Sequence, residues 1–240
     1  MTESGPTNAP LTLFSALAVQ GALDDVLLPR FLEQNPVELA ITYDPTTVLV
    51  ELVRGGARPD VIIAVTAALD DLVEAAAIDR STVVPIARAG VGVAVARGEK
   101  VPVISTPESL QRALLDARSV AYSRAGASGI YFAELIERLG IGEQVNAKAT
   151  IVEKGFTALA IVDGRADLAI QQLSELKFVP EVAIVGPLPE ATQHYTEFSV
   201  ALGAAAADTP AALALLRLLA EPSSAVAFRD AGLLAGPDRL

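Results

Sequence analysis

Short apolar runs of β type alternate with amphipathic helical segments along nearly the whole chain. The run DVIIAV at 60–65 is typical of a strand buried in a parallel sheet. Before it, Gly55 and Gly56 predict the end of a helix over 46–54. Because strands that alternate with helices form parallel sheets covered by helices, the predicted fold class is α/β.

Two long β-type segments, near 83–96 and 190–204, stand out from this alternation. The first reads VVPIARAGVGVAVA, which is rich in β-branched residues and glycine and has no helical period. We interpret both segments as strands that cross between two lobes with mostly parallel sheets. This predicts one lobe over 1–85 plus 196–240, a second over 86–195, and a ligand cleft between them at the carboxyl ends of the strands.

The stretch 119–140, SVAYSRAGASGIYFAELIERLG, reads as a strand, a loop of small residues and a helix. Backbone N–H groups at a helix start lack internal partners, and the helix dipole favours negative charge there. The loop has no Walker lysine, which argues against a nucleoside triphosphate. We therefore expect a small oxyanion or carboxylate, although glycine and serine are also common before helices without any ligand.

Composition excludes several kinds of site and partner. A net charge of −11 argues against nucleic acid and anionic membrane surfaces. The absence of cysteine and the single histidine, His194, exclude thiolate catalysis and multi-histidine metal sites, so we expect no metal and no cofactor. No apolar run approaches the roughly 18 residues of a membrane-spanning helix, so no membrane insertion is expected.

The first 25 residues carry no basic residue ahead of their apolar stretch, and a lipid anchor would need a cysteine. These features predict a cytoplasmic protein, or a periplasmic or extracellular one if a leader has been removed.

Four segments in this order and spacing resemble the type II periplasmic solute-binding proteins, and among them the molybdate-binding-like branch, which also resembles aconitate isomerase. The resemblance covers nearly the whole chain and implies two α/β lobes, two crossing strands and a hinge that closes on a ligand. The segments are LFSALAVQGALDDV, GGARPDVIIAVTAALDDL, YSRAGASGIYFAELIERLGI, and GRADLAIQQLSEL followed by EVAIVGPLPEATQHYTEFSVAL.

The resemblance implies ligand contacts in the loop after the first strand, at the start of the second helix, in the loop of 119–140 and at the end of a later strand. By alternation along that strand, only one of the two glutamines at its end can face the cleft. The candidate contacts, with Thr66 added, are Ser15, Ala16, Ala18, Thr46, Thr47, Thr66, Ser123, Gly126, Ala127, Ser128, Gln171 and Gln172.

Two positions depart from the molybdate binders, which usually have serine where this chain has Ala18 and often tyrosine where it has Gln172. Amide side chains, with a cation at Arg88 or Arg124, suit a carboxylate that arginine grips through two parallel hydrogen bonds. Alternatively, Arg88 forms a structural ion pair and Arg124 faces solvent.

Two classes of function follow. The first is a cofactor-independent isomerase that moves a proton on a di- or tricarboxylate, as the resemblance to aconitate isomerase implies. The alternative is a non-catalytic substrate-binding protein of an ABC-type transporter, or a sensor, for an oxyanion such as molybdate; a permease is a partner only if an export signal has been removed. No base stands out among the candidates Tyr122, Glu153, Lys154, Glu175 and His194. For His194, beside Tyr195, a surface or hinge position is favoured over a catalytic role.

Overall fold

A computed structural model describes residues 9–236 of the chain. Within this range, strands and helices alternate as the sequence predicts, and the α/β class is confirmed. The strands are β1 Leu11–Ser15, β2 Leu39–Tyr43, β3 Val61–Val65, β4 Val84–Ala96, β5 Val120–Tyr122, β6 Ala149–Ile151, β7 Leu168–Gln172, β8 Val182–Pro187, β9 Tyr195–Leu202 and β10 Leu234–Ala235.

The helices lie on the connections between these strands. Short 3-10 segments occur at Leu17–Val19, Arg80–Thr82, Glu190–Thr192 and Ala204–Ala206. The α-helices are α1 Gln20–Ala22, α2 Leu28–Gln34, α3 Thr46–Arg54, α4 Thr66–Glu74, α5 Pro107–Asp116, α6 Ala127–Arg138, α7 Gly142–Asn146, α8 Leu159–Val162, α9 Leu173–Lys177, α10 Pro210–Ala220 and α11 Ser224–Asp230.

Strand β4 joins the two halves of one continuous sheet, whose order is β2-β1-β3-β9-β4-β7-β5-β6. From Val84 to Gly90, β4 pairs with β9, and it also pairs with β10. From Val91 to Ala96 it pairs with β7 and β8. We call the strands β1, β2, β3, β9 and β10 with the leading part of β4 the first half, and the remaining strands the second half.

The predicted crossing at 83–96 is therefore confirmed. The second predicted crossing, 190–204, leads from Thr192, whose carbonyl oxygen accepts a hydrogen bond from the Tyr131 hydroxyl of the second half, into β9 of the first half. We call β4 and β9 the crossing strands, and the pairing directions add detail. Within each half the strands flanking β1 and β5 are parallel, as expected for an alternating chain. Every pair that involves β4 or β9 is antiparallel, because these strands run against the direction of their neighbours.

Buried apolar side chains form separate clusters in the two halves. Two clusters draw their buried members from 11–89 and 198–233, and two others draw theirs from 91–188. Each half thus has its own hydrophobic core, which leaves the contact between the halves free to carry polar groups. The lobe boundaries 1–85 plus 196–240 and 86–195 stay a prediction.

An irregular helical segment follows β1. The π-helical turn Leu23–Leu27 separates α1 from α2, and Pro29 lies in the first turn of α2. Proline has no N–H for the carbonyl four residues earlier and its ring crowds that carbonyl, so the wider π turn lies immediately before it.

Among helices of the described range, none is long and apolar enough by itself to cross a membrane. The helices α10 and α11, bent by 64° at the break between them, meet the criteria of length and composition only when taken together.

Candidate functional site

A small cavity lies between the two halves, where β1, β3, β5 and β7 end. Its volume is about 20 Å³, close to the space that one water molecule occupies. Any larger ligand therefore requires the two halves to separate. The lining residues are Ala16, Leu17, Ala18, Pro45, Thr46, Val65, Ser123, Gly126, Ala127, Gly155, Gln171, Gln172, Glu175 and Phe198.

Two hydroxyl groups of this lining are held as hydrogen-bond donors. The hydroxyl of Ser123 accepts hydrogen bonds from the backbone N–H groups of Ala125 (3.2 Å) and Gly126 (3.3 Å). The hydroxyl of Thr46 accepts one from the backbone N–H of Val65 at 3.1 Å. Since backbone N–H groups occupy their acceptor sites, these hydroxyls keep a proton to donate to a ligand.

Helix α6 lies very close to the end of β5 because of one glycine. A Cβ atom on Gly129 would lie 1.6 Å from the carbonyl oxygen of Ser123, a separation no side chain tolerates. The residues that cap α6 and α3, Gly126 and Pro45, have no side chain that caps the first N–H groups of these helices. Both helix starts contribute to the cavity wall, so it presents partial positive charge.

Glu175 is the titratable side chain of this wall. It lies in the first turn of α9, is 8% exposed, and its Oε2 accepts a hydrogen bond from the backbone N–H of Gln172 at 3.2 Å. Burial raises the pKa of Glu175 to about 8, while hydrogen bonds from Gln172 and Gln171 oppose the rise. A carboxyl group that titrates near neutrality can both accept and donate a proton.

Both glutamines at the end of β7 contribute atoms to the cavity lining, and the expectation that only one of their side chains faces the cleft stays a prediction. The chain turns into α9 immediately after Gln172. The side-chain oxygen of Gln171 accepts hydrogen bonds from the backbone N–H (2.7 Å) and hydroxyl (3.0 Å) of Thr157. Its nitrogen donates to the carbonyl of Gly155 at 3.1 Å, so Gln171 holds the loop at 155–157 against the cavity.

Two polar contacts join the halves at the rim. Lys154 Nζ lies 2.8 Å from Asp44 Oδ1 and 3.0 Å from Oδ2. The hydroxyl of Thr47 donates to the carbonyl oxygen of Ala125 at 2.9 Å. Both contacts connect the segment after β2 to loops of the second half, and they hold the cavity closed.

The remaining polar candidates of the ligand set lie beside the cavity without lining it. Ser15 is fully buried and donates to the carbonyl of Ala16, and Ser128 is buried in the first turn of α6. Thr66 Oγ1 lies 2.8 Å from Ser199 Oγ.

The two arginines do not line the cavity. Arg124 is exposed in the loop before α6. Arg88 lies on β4 opposite Glu197, with its guanidinium carbon 5.9 Å from the ring centre of Tyr195. In the described residues, the cavity wall holds no positively charged side chain.

The other candidate bases are separated from Glu175. Tyr122 lies in the core of the second half, where its hydroxyl donates to Asn146 Oδ1 at 2.5 Å. Glu153 is exposed. His194 is exposed and stacks on Tyr131 with ring centres 4.6 Å apart.

Besides Leu17, which lies between the candidates Ala16 and Ala18, four lining residues were missed by the sequence reasoning. Gly155, which the sequence reasoning takes as the first residue of a helix over 155–162, adopts a positive φ of 91°, and glycine itself could have indicated this turn. Pro45 precedes a predicted helix start, which could have suggested it. Val65 ends the apolar strand β3, and Phe198 is an apolar residue of β9, so neither carries a local signal for a site.

Comparisons with known proteins agree with this architecture. Residues 11–234 match the family described as bacterial extracellular solute-binding protein. The aconitate isomerase of a Pseudomonas species is 31% identical over 233 residues, which cover 95% of this chain and 88% of that relative.

Solved structures support the fold. The periplasmic molybdate-binding protein of Azotobacter vinelandii matches with a TM-score of 0.77 at 15% identity, covering 93% of this chain and 98% of that one. The sulfate-binding protein of Mycobacterium tuberculosis matches with a TM-score of 0.72 at 16% identity, covering 94% and 86%. These matches confirm the resemblance to the type II periplasmic solute-binding proteins, and the chain belongs to the bacterial extracellular solute-binding protein family.

Proposed function

We propose that the protein is a cofactor-independent isomerase of a small di- or tricarboxylate of the aconitate type, with Glu175 as its acid–base group. The observation that carries this proposal is a single buried carboxyl group, with a pKa of about 8, in the wall of a small cavity between the two halves. The 31% identity to an aconitate isomerase over nearly the whole chain supports it.

The proposed reaction moves one proton. Ionised Glu175, about a tenth of the population at pH 7, removes a proton from a carbon next to the conjugated double bond. The electron pair delocalises through the double bond onto a carboxylate oxygen, and the same carboxyl group returns the proton at the other end of the conjugated system. Substrate and product are isomers, so no oxidant, reductant or metal enters the balance.

Neutral donors are suited to the negative charge that develops in this step. The N-termini of α3 and α6 and the hydroxyls of Thr46 and Ser123 point donors at the cavity from both halves. Donors fixed in a water-excluding site stabilise an enolate-like charge without reorganising. At the rim, the ammonium group of Lys154 is available to a second carboxylate once the halves separate.

A second candidate is a non-catalytic binding protein for a tetrahedral oxyanion. The specific observation that favours it is the absence of arginine from the described cavity wall, which leaves the hydroxyl and amide donors that such an anion requires. The molybdate- and sulfate-binding structural relatives support this alternative at the level of fold. The cellular location and a transporter partner stay predictions under either function.

The deciding experiment is proton NMR in D₂O with trans-aconitate or cis-aconitate, beside binding titrations with molybdate and sulfate. We expect the wild type to exchange or isomerise aconitate, and Glu175→Gln to lose at least ~100-fold of that rate. Glu181→Gln, which changes an exposed glutamate in the loop before β8, is the matched control and should keep the wild-type rate. Tight binding of molybdate or sulfate with an unchanged aconitate spectrum would favour the binding protein.

A further inference from the structure

Gln172 lies where β4 passes from the first half to the second. The backbone of β4 is paired with β9 as far as Gly90, and from Val91 onward it is paired with β7. The register partner of Val91 on β7 is Gln172. Any change in the angle between the halves must therefore be absorbed next to this residue.

The side chain of Gln172 bonds to both crossing strands. Its amide oxygen accepts a hydrogen bond from Thr196 Oγ1 of β9 at 2.9 Å, and its nitrogen donates to the carbonyl oxygens of Ala89 (3.1 Å) and Gly90 (3.2 Å) of β4. This is the amide orientation in which each polar atom meets a partner of the opposite kind. Gln172 and Thr196 are 2% and 3% exposed, so water does not replace these bonds.

The same residue also contacts the acid–base candidate. The backbone N–H of Gln172 donates to Glu175 Oε2 at 3.2 Å. Helix α9 is held against β4 at this point, because a Cβ atom on Gly92 would lie 2.3 Å from Leu173 Cδ2. The packing of Leu173 on Gly92 therefore keeps the start of α9 in direct contact with β4.

We propose that Gln172 is a positioning residue that couples the arrangement of the crossing strands β4 and β9 to the carboxyl group of Glu175. When the halves separate, the carbonyls of Ala89 and Gly90 and the hydroxyl of Thr196 shift, and Gln172 carries that shift to the start of α9. The role of this coupling in catalysis rests on the proposed function, whereas the coupling itself does not.

Few other charges act on Glu175. The elements packed most closely against α9 are β4, β7, β8, Leu17–Val19 and α1. Among these, only β4 carries a charged side chain, that of Arg88, and α9 itself carries Lys177. A shift in the titration of Glu175 therefore reports chiefly on its solvent exposure and hydrogen bonds.

The test follows the infrared carbonyl band of the protonated Glu175 carboxyl against pH in the full chain, with the band assigned by its loss in Glu175→Gln. Gln172→Met removes the three side-chain hydrogen bonds and keeps the backbone N–H and a similar volume. We expect the titration midpoint to fall by about one pH unit or more, because the loosened strand junction admits water to the carboxyl group.

A matched control and a second variant keep this test decisive. Ser199→Ala removes another buried hydroxyl of β9, one that bonds to Thr66, and should leave the midpoint unchanged. Thr196→Val removes only one hydrogen-bond partner of Gln172 and should lower the titration midpoint of Glu175 by a smaller amount. If Gln172→Met does not fold, Thr196→Val takes its place in the test. An unchanged midpoint in the folded variants overturns the proposal.

Transmission itself is tested by a double-mutant cycle. Gly90→Ala places a methyl group 3.1 Å from Tyr195 Cε1 and 3.4 Å from Gln193 Nε2, which disturbs the crossing strands without touching Glu175. We expect it to shift the midpoint in the wild type and not in Gln172→Met. Equal shifts in both backgrounds overturn the proposal. The titration needs no substrate, so a shifted midpoint in a protein inactive on aconitate would reject the proposed function and leave the coupling standing.

Discussion

Lys154 Nζ lies 2.8 Å from Asp44 Oδ1, so a side chain that is 70% exposed covers a carboxylate that is 7% exposed. The two residues belong to opposite halves of the sheet, and their ion pair lies at the rim of the cavity. The asymmetry in exposure determines what each substitution does.

Lys154→Met should lower the free energy of unfolding by about 1–3 kcal/mol, because it leaves a buried carboxylate without its cation. The loss is smaller than for a fully buried pair, since solvent screens the lysine. Urea denaturation measures it, and adding Asp44→Asn to Lys154→Met should restore most of the loss. Arg165→Met breaks the exposed pair with Asp163 and is the matched control, with an expected change within ~0.5 kcal/mol.

Glu175→Gln should change how stability depends on pH. The pKa of Glu175 is raised from 4.5 to about 8 in the folded chain, so the unfolded chain releases this proton first as pH rises. The contribution of Glu175 to the free energy of unfolding is fully present below pH 4.5 and decreases by about 1.4 kcal/mol per pH unit from there to about pH 8. Above that pH it no longer changes.

Urea denaturation of the wild type and of Glu175→Gln, repeated between about pH 5 and pH 9, where the protonation of Glu175 changes, checks this prediction. The difference between the two free energies should grow in favour of the variant until about pH 8. A difference that is independent of pH would contradict the raised pKa. Glu181→Gln should follow the wild type throughout.

Gly129→Ala should destabilise the protein by about 2–3 kcal/mol, although alanine favours a helix over glycine by about 1 kcal/mol. The added methyl group would lie 1.6 Å from the carbonyl oxygen of Ser123, so α6 has to move away from β5. Gly126→Ala is the control: its nearest contact would be at 3.8 Å, and its stability should stay within ~0.5 kcal/mol of the wild type. Thermal or urea unfolding of both variants distinguishes a steric cause from a general intolerance of substitution in this loop.

Ser123→Ala should weaken binding of the anion that the protein accepts by about 10- to 100-fold, because the hydroxyl donates a hydrogen bond to a charged group. Arg88→Met should change affinity by less than about threefold, since Arg88 contacts Tyr195 and does not line the cavity. Calorimetric titration with aconitate and molybdate measures both. A larger loss of affinity in Arg88→Met than in Ser123→Ala would contradict this prediction and indicate that Arg88 binds the anion.

Local signals account for what the sequence predicted correctly. The loop with Ser123 and Gly126 is indicated by small residues between an apolar run and a helical segment. Strand β4 is indicated by a long β-type run that has no helical period. These signals depend on neighbours in the chain, which a single sequence contains.

Contacts between distant segments account for what the sequence could not reveal. Arg88 resembled a cleft cation because its neighbours are apolar, but strand register places it opposite Glu197 and beside Tyr195. Glu175 did not stand out among the candidate bases, because its burial depends on how α9 packs against β4. Both outcomes follow from the pairing of β4 with β7 and with β9, which brings together residues 73 to 116 positions apart.

The small size of the cavity also limits how fast a ligand can be exchanged. Because only about 20 Å³ is available between the halves, a ligand larger than water enters or leaves only while the halves are apart. The observed association rate should then level off as ligand concentration rises, at a plateau equal to the opening rate of the empty protein. The ion pair of Asp44 with Lys154 consequently acts on residence time, and its rupture shortens the lifetime of the complex.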